Sequence, residues 1–193
     1  DVYLFQKTIA GQDYLARVRC PMLYLSASND FNAPMDFVEK GMKLIPHDKT
    51  RTTYAPHLNH RFTPETEIAR PLWFDAHLKK RLQFPHTPLA ELVLKRENGI
   101  PIYRVRPDAS LPIDQVDIYY GYERDPRNRF WADGQAKEQA GVWEAECPVF
   151  DLDEPLFAFV NVYYRLSEEQ RRKGDPDRFV ISAAEMAYPV ALR

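Results

Sequence analysis

The order of apolar and polar residues divides the chain into two parts with different patterns. In the first part, residues 21–28 form an uninterrupted apolar run that ends at the polar pair Asn29 and Asp30. A continuous run, rather than an alternation, is typical of a strand buried on both faces of a parallel sheet. Residues 50–55 are rich in β-branched and aromatic side chains, and they predict a second strand.

Helical patterns accompany these two strands. Apolar residues recur at helical spacing over residues 35–44, between the strands. A second helix is predicted to begin at Thr63, because its hydroxyl can cap a helix and Pro64 suits the first helical position. Residues 1–20 predict a short helix and a connector. The alternation of strand and helix predicts an α/β portion over residues 1–84.

A proline-containing linker at residues 83–88 precedes a second part with a different pattern. Strands are predicted at residues 89–96, 100–106, 116–122, 141–148 and 156–166, with weaker candidates at 179–182 and 187–192. Asn98 and Gly99, between the first two, form a strong hairpin signal. Short strands separated by turns predict an all-β, immunoglobulin-like sandwich over residues 85–193.

Composition narrows the classes of function. The 193 residues are 45% hydrophobic and 28% charged, a balance that can bury a core. The net charge is −2 and no basic stripe is present, so nucleic acid is not an expected partner. No apolar run approaches the roughly 20 residues that a membrane span requires.

The cysteines and the N-terminal residues give information about the cellular compartment of the protein. Cys20 and Cys147 lie far apart in sequence, and two buried thiols are favoured over a disulfide. The compartment stays open, with a secreted or periplasmic location slightly favoured. The chain lacks an initiator Met and a signal-peptide pattern at its start, and we expect it to begin partway through a gene product.

Two side chains follow the predicted parallel strands at the point where each strand ends. Asp30 lies two residues beyond the first strand, and His60 lies about five beyond the second. The carboxyl ends of parallel strands meet at one edge of a sheet, so we expect the two to pair. The carboxylate would orient the imidazole, which could serve as general base and then as general acid.

Other roles for these residues are open. Asp30 could instead fill an Asx turn or cap the following helix. His60 could be an ordinary loop residue, and His57 is the second candidate for the base. His57 and His60 could also suggest a metal site, but no third ligand lies near them in sequence, and no metal is predicted.

The segments PMLYLSASND (residues 21–30) and YAPHLNH (residues 54–60), each followed by a helix, resemble two motifs of the α/β-hydrolases. They are similar to the strand that ends in the triad acid and to the loop of the catalytic histidine. Prolyl-peptidase, acetylxylan-esterase and dienelactone-hydrolase types are the nearest. The resemblance covers residues 1 to about 82. It implies Asp30 as the acid, His60 as the base, no cofactor, and a small-molecule, peptide or glycan ester substrate.

The nucleophile of that family is missing from the pattern. It lies in a G-x-S-x-G turn that precedes the acid and the base. None of the serines has glycines at both required positions; they are Ser26, Ser28, Ser110, Ser167 and Ser182. We therefore expect the C-terminal part of a serine hydrolase, with its nucleophile in a missing N-terminal segment or in a second chain. A remnant of two strands would also leave an apolar sheet edge exposed.

Three further hypotheses compete with this one. The chain could be a pseudo-enzyme, a structural subunit, or a binding module whose sandwich recognises a glycan or a protein. Residues 123–131 could form a binding loop, or a charged hairpin tip with Phe130 and Trp131 in the core. Coplanar exposed aromatic side chains would favour the binding module. A His60 ring within hydrogen-bonding reach of Asp30 would favour the enzyme.

Overall fold

A computed structural model of the chain describes residues 2–95 and 97–189. The helices in this part are α1 (Val2–Thr8), α2 (Gln12–Leu15), α3 (Met35–Met42), α4 (Pro64–Glu67) and α5 (Ala69–His77), with a 3₁₀ turn at Glu168–Gln170. The strands are β1 (Met22–Ala27), β2 (Thr50–Ala55), β3 (Leu89–Val93), β4 (Ile102–Arg106), β5 (Ile113–Gly121), β6 (Ala132–Asp133), β7 (Lys137–Gln139), β8 (Val142–Glu146), β9 (Leu156–Arg165) and β10 (Arg178–Ala187). Positions 190–192 of the candidate strand 187–192 lie outside the described residues.

The strands form two sheets. One has six strands in the order β1-β2-β10-β9-β5-β6, and the other has four in the order β3-β4-β8-β7. Only β1 and β2 are paired in parallel among the described residues, from Met22 opposite Thr50 to Ala27 opposite Ala55. Strand β2 joins β10 at one antiparallel pair, Thr52 opposite Ser182.

This topology corrects the predicted fold class. The expectation of an α/β portion joined to a separate immunoglobulin-like sandwich is wrong, because the described part of the chain is a mostly-β structure of two sheets. The parallel pair continues into the antiparallel strand β10 instead of into further parallel strands. An apolar run indicates that a strand is buried, but it does not specify which strand pairs with it. The division at residues 84 and 85 stays a prediction.

The side chains of β9 alternate between two hydrophobic clusters, as the twofold period of a strand requires. Phe157 and Phe159 belong to one cluster, together with Trp131 and the buried face of α3. Ala158 and Val160 belong to the other, which also includes residues of the four-stranded sheet and of α5. The six-stranded sheet is thus covered on both faces, and the aromatic side chains of β9 are buried in the core.

Several local predictions are confirmed. The Thr63 hydroxyl accepts a hydrogen bond from the Thr66 amide at 3.3 Å, although the helix that follows is divided into α4 and α5. Strand β2 has the predicted limits. In the turn between β3 and β4, Gly99 has a φ of 71°, a conformation in which glycine has no steric cost.

The two cysteines differ in environment. Both are free, Cys147 is buried, and Cys20 is exposed. The prediction of two buried thiols is therefore confirmed for Cys147 and wrong for Cys20. Burial raises the pKa of the Cys147 thiol to about 12, and a thiol that stays protonated is unreactive.

Candidate functional site

Asp30 lies in the loop that follows β1, and its carboxylate has two sets of partners. Oδ1 accepts hydrogen bonds from the backbone amides of Asn32 at 2.8 Å and Ala33 at 3.1 Å. Oδ2 lies 2.9 Å from Nδ1 of His60. Asp30 therefore both fills an Asx turn and pairs with the imidazole, so the two expected roles coexist in one side chain.

These hydrogen-bond partners stabilise the ionised form of Asp30. The residue is only 4% exposed. Burial raises the pKa of its carboxyl, but the hydrogen bonds from His60 and from the two backbone amides outweigh burial and hold the pKa below its usual value. The ionised carboxylate can only accept a hydrogen bond. Nδ1 of His60, which faces it, is therefore the ring nitrogen that carries the proton.

His60 lies in the loop after β2 and presents its ring to solvent. Its side chain is 67% exposed, and its only hydrogen bond among the described residues is the one with Asp30. Both His60, at a φ of 53°, and His57, at 58°, have left-handed backbone conformations. Such conformations are uncommon for residues other than glycine and concentrate at functional sites.

His57 has different neighbours from His60. Its backbone amide donates to Oγ of Ser28 at 2.8 Å. Its ring stands edge-on to the ring of Tyr119, with centroids 5.5 Å apart. The loop therefore places His60 beside Asp30 and packs His57 against the sheet. Of the two histidines, His60 is the one that pairs with Asp30.

Residues 123–131 contact this site in addition to the loops that follow β1 and β2. Sequence patterns did not reveal this contact. Nδ2 of Asn29 donates to the backbone oxygens of Pro126 at 2.9 Å and Arg129 at 2.7 Å. Nε1 of Trp131 donates to the backbone oxygen of Ser28 at 3.3 Å. These bonds join the acid loop to a segment about 100 residues later in the chain.

Arg129 anchors that segment from inside. It is 2% exposed, and Nε donates to the backbone oxygen of Glu123 at 2.6 Å. The guanidinium lies 3.5 Å from the centroid of the Phe157 ring. Burial lowers the pKa of Arg129 to about 10, although the charges of Asp36, Asp125 and Glu123 raise it. Nothing in the neighbouring sequence indicates that this arginine, in a charged stretch, is buried.

Each of three segments, the loop after β1, the loop after β2 and residues 123–131, contains an exposed phenylalanine. Phe31 is 50% exposed and follows Asp30, Phe62 is 40% exposed and lies two residues after His60, and Phe130 is 76% exposed. The expectation that Phe130 and Trp131 both enter the core is confirmed for Trp131, at 1% exposure, and wrong for Phe130. We refer to Asp30, His60 and these three phenylalanines together as the aromatic edge.

No catalytic triad forms among the described residues. Ser28, the serine next to the acid loop, donates through Oγ to Oδ1 of Asn29 at 2.8 Å, and His60 makes no hydrogen bond to a serine. Because the described residues form a mostly-β structure of two sheets, the prediction of an α/β-hydrolase, esterase or peptidase with a catalytic triad is wrong for this chain. The acid–base roles of Asp30 and His60 stay predictions.

Comparisons with known proteins leave the class of the protein open. No known protein family and no curated protein matches the chain. A similar solved structure is the crystal structure of a bromine derivative of BhCBM56, with 13% identity, a TM-score of 0.35, and coverage of 55% of this chain and 99% of that chain. So low a TM-score and identity assign neither a fold nor a function.

The described residues contain neither a helix that could span a membrane nor a cluster of metal ligands. None of the helices has the length and apolar character needed to cross a membrane. Within residues 2–95 and 97–189, no group of three or more histidine, cysteine or acidic side chains could hold a metal ion.

Proposed function

We propose that this chain is a binding module and that the aromatic edge is its ligand surface. The observation that carries the proposal is the presence of three exposed phenylalanine rings on segments that hydrogen bonds hold around the Asp30–His60 pair. Exposed aromatic residues are costly to solvate and are typical of binding surfaces when polar groups lie beside them.

The chemistry of this edge suits a glycan. Aromatic rings offer flat apolar faces to the C–H faces of a sugar ring. Because Nδ1 of His60 faces Asp30, Nε2 is left toward solvent and can accept a hydrogen bond from a sugar hydroxyl. The rigid Asx turn at Asp30 fixes the direction of that acceptor, so orientation costs little entropy on binding.

A groove on the four-stranded sheet is a less suitable location. It has a volume of about 820 Å³, and none of the side chains that line it is aromatic. Its charges already satisfy one another in part, since Nε of Arg104 donates to Oε1 of Glu144 at 2.6 Å. A sugar would have to displace such ion pairs to bind there, whereas stacking on the exposed phenylalanine rings displaces none.

Phe130→Ala is expected to weaken glycan binding by about tenfold, because loss of one stacking ring from a small site costs more than about 1 kcal/mol. The measurement is affinity electrophoresis in gels that contain soluble β-glucan, xylan or mannan. Phe74→Ala is the matched control, since Phe74 is a 52% exposed phenylalanine on α5. Unchanged retardation of the Phe130 variant in a gel that retards the wild type would place the ligand elsewhere. Absence of retardation of the wild type in all three gels would refute glycan binding.

A second candidate is that Asp30 and His60 form a proton-transfer pair that is completed by groups outside this chain. The 2.9 Å contact between Oδ2 and Nδ1 supports it, because a carboxylate that orients an imidazole makes it a better base. An ester substrate, and a missing segment or second chain that supplies the other reacting groups, stay proposals under this second candidate.

The reactivity of His60 tests this second candidate in the chain itself. We expect p-nitrophenyl acetate to acylate His60 several times faster in the wild type than in Asp30→Asn, because the amide does not stabilise the developing imidazolium. Mass spectrometry of peptides locates the acyl group, and the exposed His86 provides the internal reference. Equal acylation rates in both proteins, or preferential acylation of His57, would contradict the assignment.

A further inference from the structure

A second cavity lies away from the aromatic edge, between α3 and the strands β2 and β10. Its volume is about 350 Å³. The part of its lining that matters here combines apolar and charged side chains, namely Met42, Ile45, Ala184, Glu39, Lys43 and Glu185. The apolar members are at most 9% exposed, so core side chains form the floor of this open groove.

The Glu39 carboxyl is the chemically unusual group of this cavity. Its Oε1 accepts hydrogen bonds from the Tyr54 hydroxyl at 2.7 Å and from the Thr52 hydroxyl at 3.4 Å. Both donors are neutral, and among the described residues Oε2 makes no hydrogen bond. The carboxyl thus lines a cavity with one oxygen held by hydroxyls and with no cation in contact.

Among the described residues, no cation lies within ion-pair distance of the Glu39 carboxyl. Lys43, directly after α3, lies 3.5 Å from Oε1 of Glu185 on β10 and acts on Glu39 only through its charge at longer range. Arg51 on β2 also lines this space, and its guanidinium donates to the backbone oxygens of Pro85, Asp48 and Thr50. With Asp48 and His47 included, three carboxyls, one ammonium, one guanidinium and one imidazole line the cavity.

We propose that the cavity beneath α3 binds a small aliphatic amine, with the ammonium group at Glu39 and the hydrocarbon part against Met42, Ile45 and Ala184. An ammonium is a charge-assisted donor to a carboxylate, and this class of contact is stronger than one between neutral groups. The apolar lining favours an alkyl chain over a hydrated metal ion, because burial of its CH₂ groups contributes to affinity.

The ionisation of Glu39 predicts that ligand binding at this site depends on pH. Burial raises the pKa of the Glu39 carboxyl to about 7, although the hydrogen bond from Tyr54 and the charge of Lys43 lower it. A bound cation favours the ionised form, so binding near pH 7 releases about half a proton per ligand. Affinity must rise as the pH increases through 7, because the ionised Glu39 carboxylate attracts the ammonium and the protonated form does not. The other titratable and charged groups that line the cavity are Lys43, His47, Asp48, Arg51 and Glu185.

The experiment is calorimetric titration of the full chain with n-butylammonium chloride at pH 6, 7 and 8, in two buffers of different ionisation enthalpy. We expect saturable binding that tightens with pH and releases protons, and little binding of the neutral isostere 1-pentanol. Glu39→Gln should weaken binding by about tenfold or more, because the amide cannot form an ion pair. Glu169→Gln, at an exposed acidic residue, is the matched control.

The wild-type pH series decides the matter even where Glu39→Gln does not fold, which circular dichroism would reveal. No heat of binding at pH 8, equal binding of 1-pentanol, or affinity that is independent of pH would each overturn the proposal. A folded Glu39→Gln protein that binds as tightly as the wild type would do so as well. Failure here leaves the aromatic edge untouched, because the two sites share no residue.

Discussion

Phe159→Ala is expected to lower the free energy of unfolding by about 3–5 kcal/mol, the usual cost of removing a buried phenylalanine ring. Phe159 is fully buried in β9. Its ring stacks on Tyr119 at a centroid distance of 4.8 Å and meets the edges of Tyr54 at 6.2 Å and Trp131 at 4.7 Å. These partners come from β2, β5 and the segment before β6, so one ring joins three parts of the chain.

Urea unfolding followed by tryptophan fluorescence measures this loss, and Phe150→Ala is its control. Phe150 is 84% exposed, so its truncation should change stability by less than about 0.5 kcal/mol. If the first part of the chain were held independently of the sandwich, the Phe159 variant would unfold in two separated transitions. A loss below about 1 kcal/mol would show that Phe159 is not central to the core.

Asn161→Ala is expected to cost about 2–4 kcal/mol, because it leaves two buried polar groups without their partner. Asn161 is fully buried in β9. Its Nδ2 donates to the backbone oxygen of Tyr54 at 2.9 Å, and its Oδ1 accepts from the Ser182 hydroxyl at 2.6 Å. Oγ of Ser182 in turn accepts from the Tyr54 amide at 2.9 Å.

Beyond Thr52, where β2 diverges from β10, hydrogen bonds from these side chains replace the backbone hydrogen bonds between the two strands. Strand β2 makes a single residue pair with β10, at Thr52, so the backbone groups of Tyr54 that face away from β1 would otherwise be unsatisfied. Thermal unfolding compares the variant with Asn128→Ala, which changes an exposed asparagine. Equal midpoints for the two variants would mean that water satisfies Tyr54 without Asn161.

Local features of this protein follow from sequence alone. The limits of β2, the Thr63 cap and the turn at Gly99 depend on side chains within a few residues of each other, and they were predictable for that reason. The approach of Asp30 to His60 was also predictable, because two parallel neighbours place the residues beyond their carboxyl ends at one edge.

Tertiary structure alone decided the features that depend on long-range contacts. The pairing of β2 with β10, and hence the mostly-β class, depends on Asn161 and Ser182, more than 100 residues after β2. Phe130 and Trp131 are adjacent aromatic residues with similar hydrophobicity, yet one is exposed and the other buried. Hydrophobic periodicity specifies which face of a segment is apolar, but the contacts that cover that face are set by packing across the whole chain.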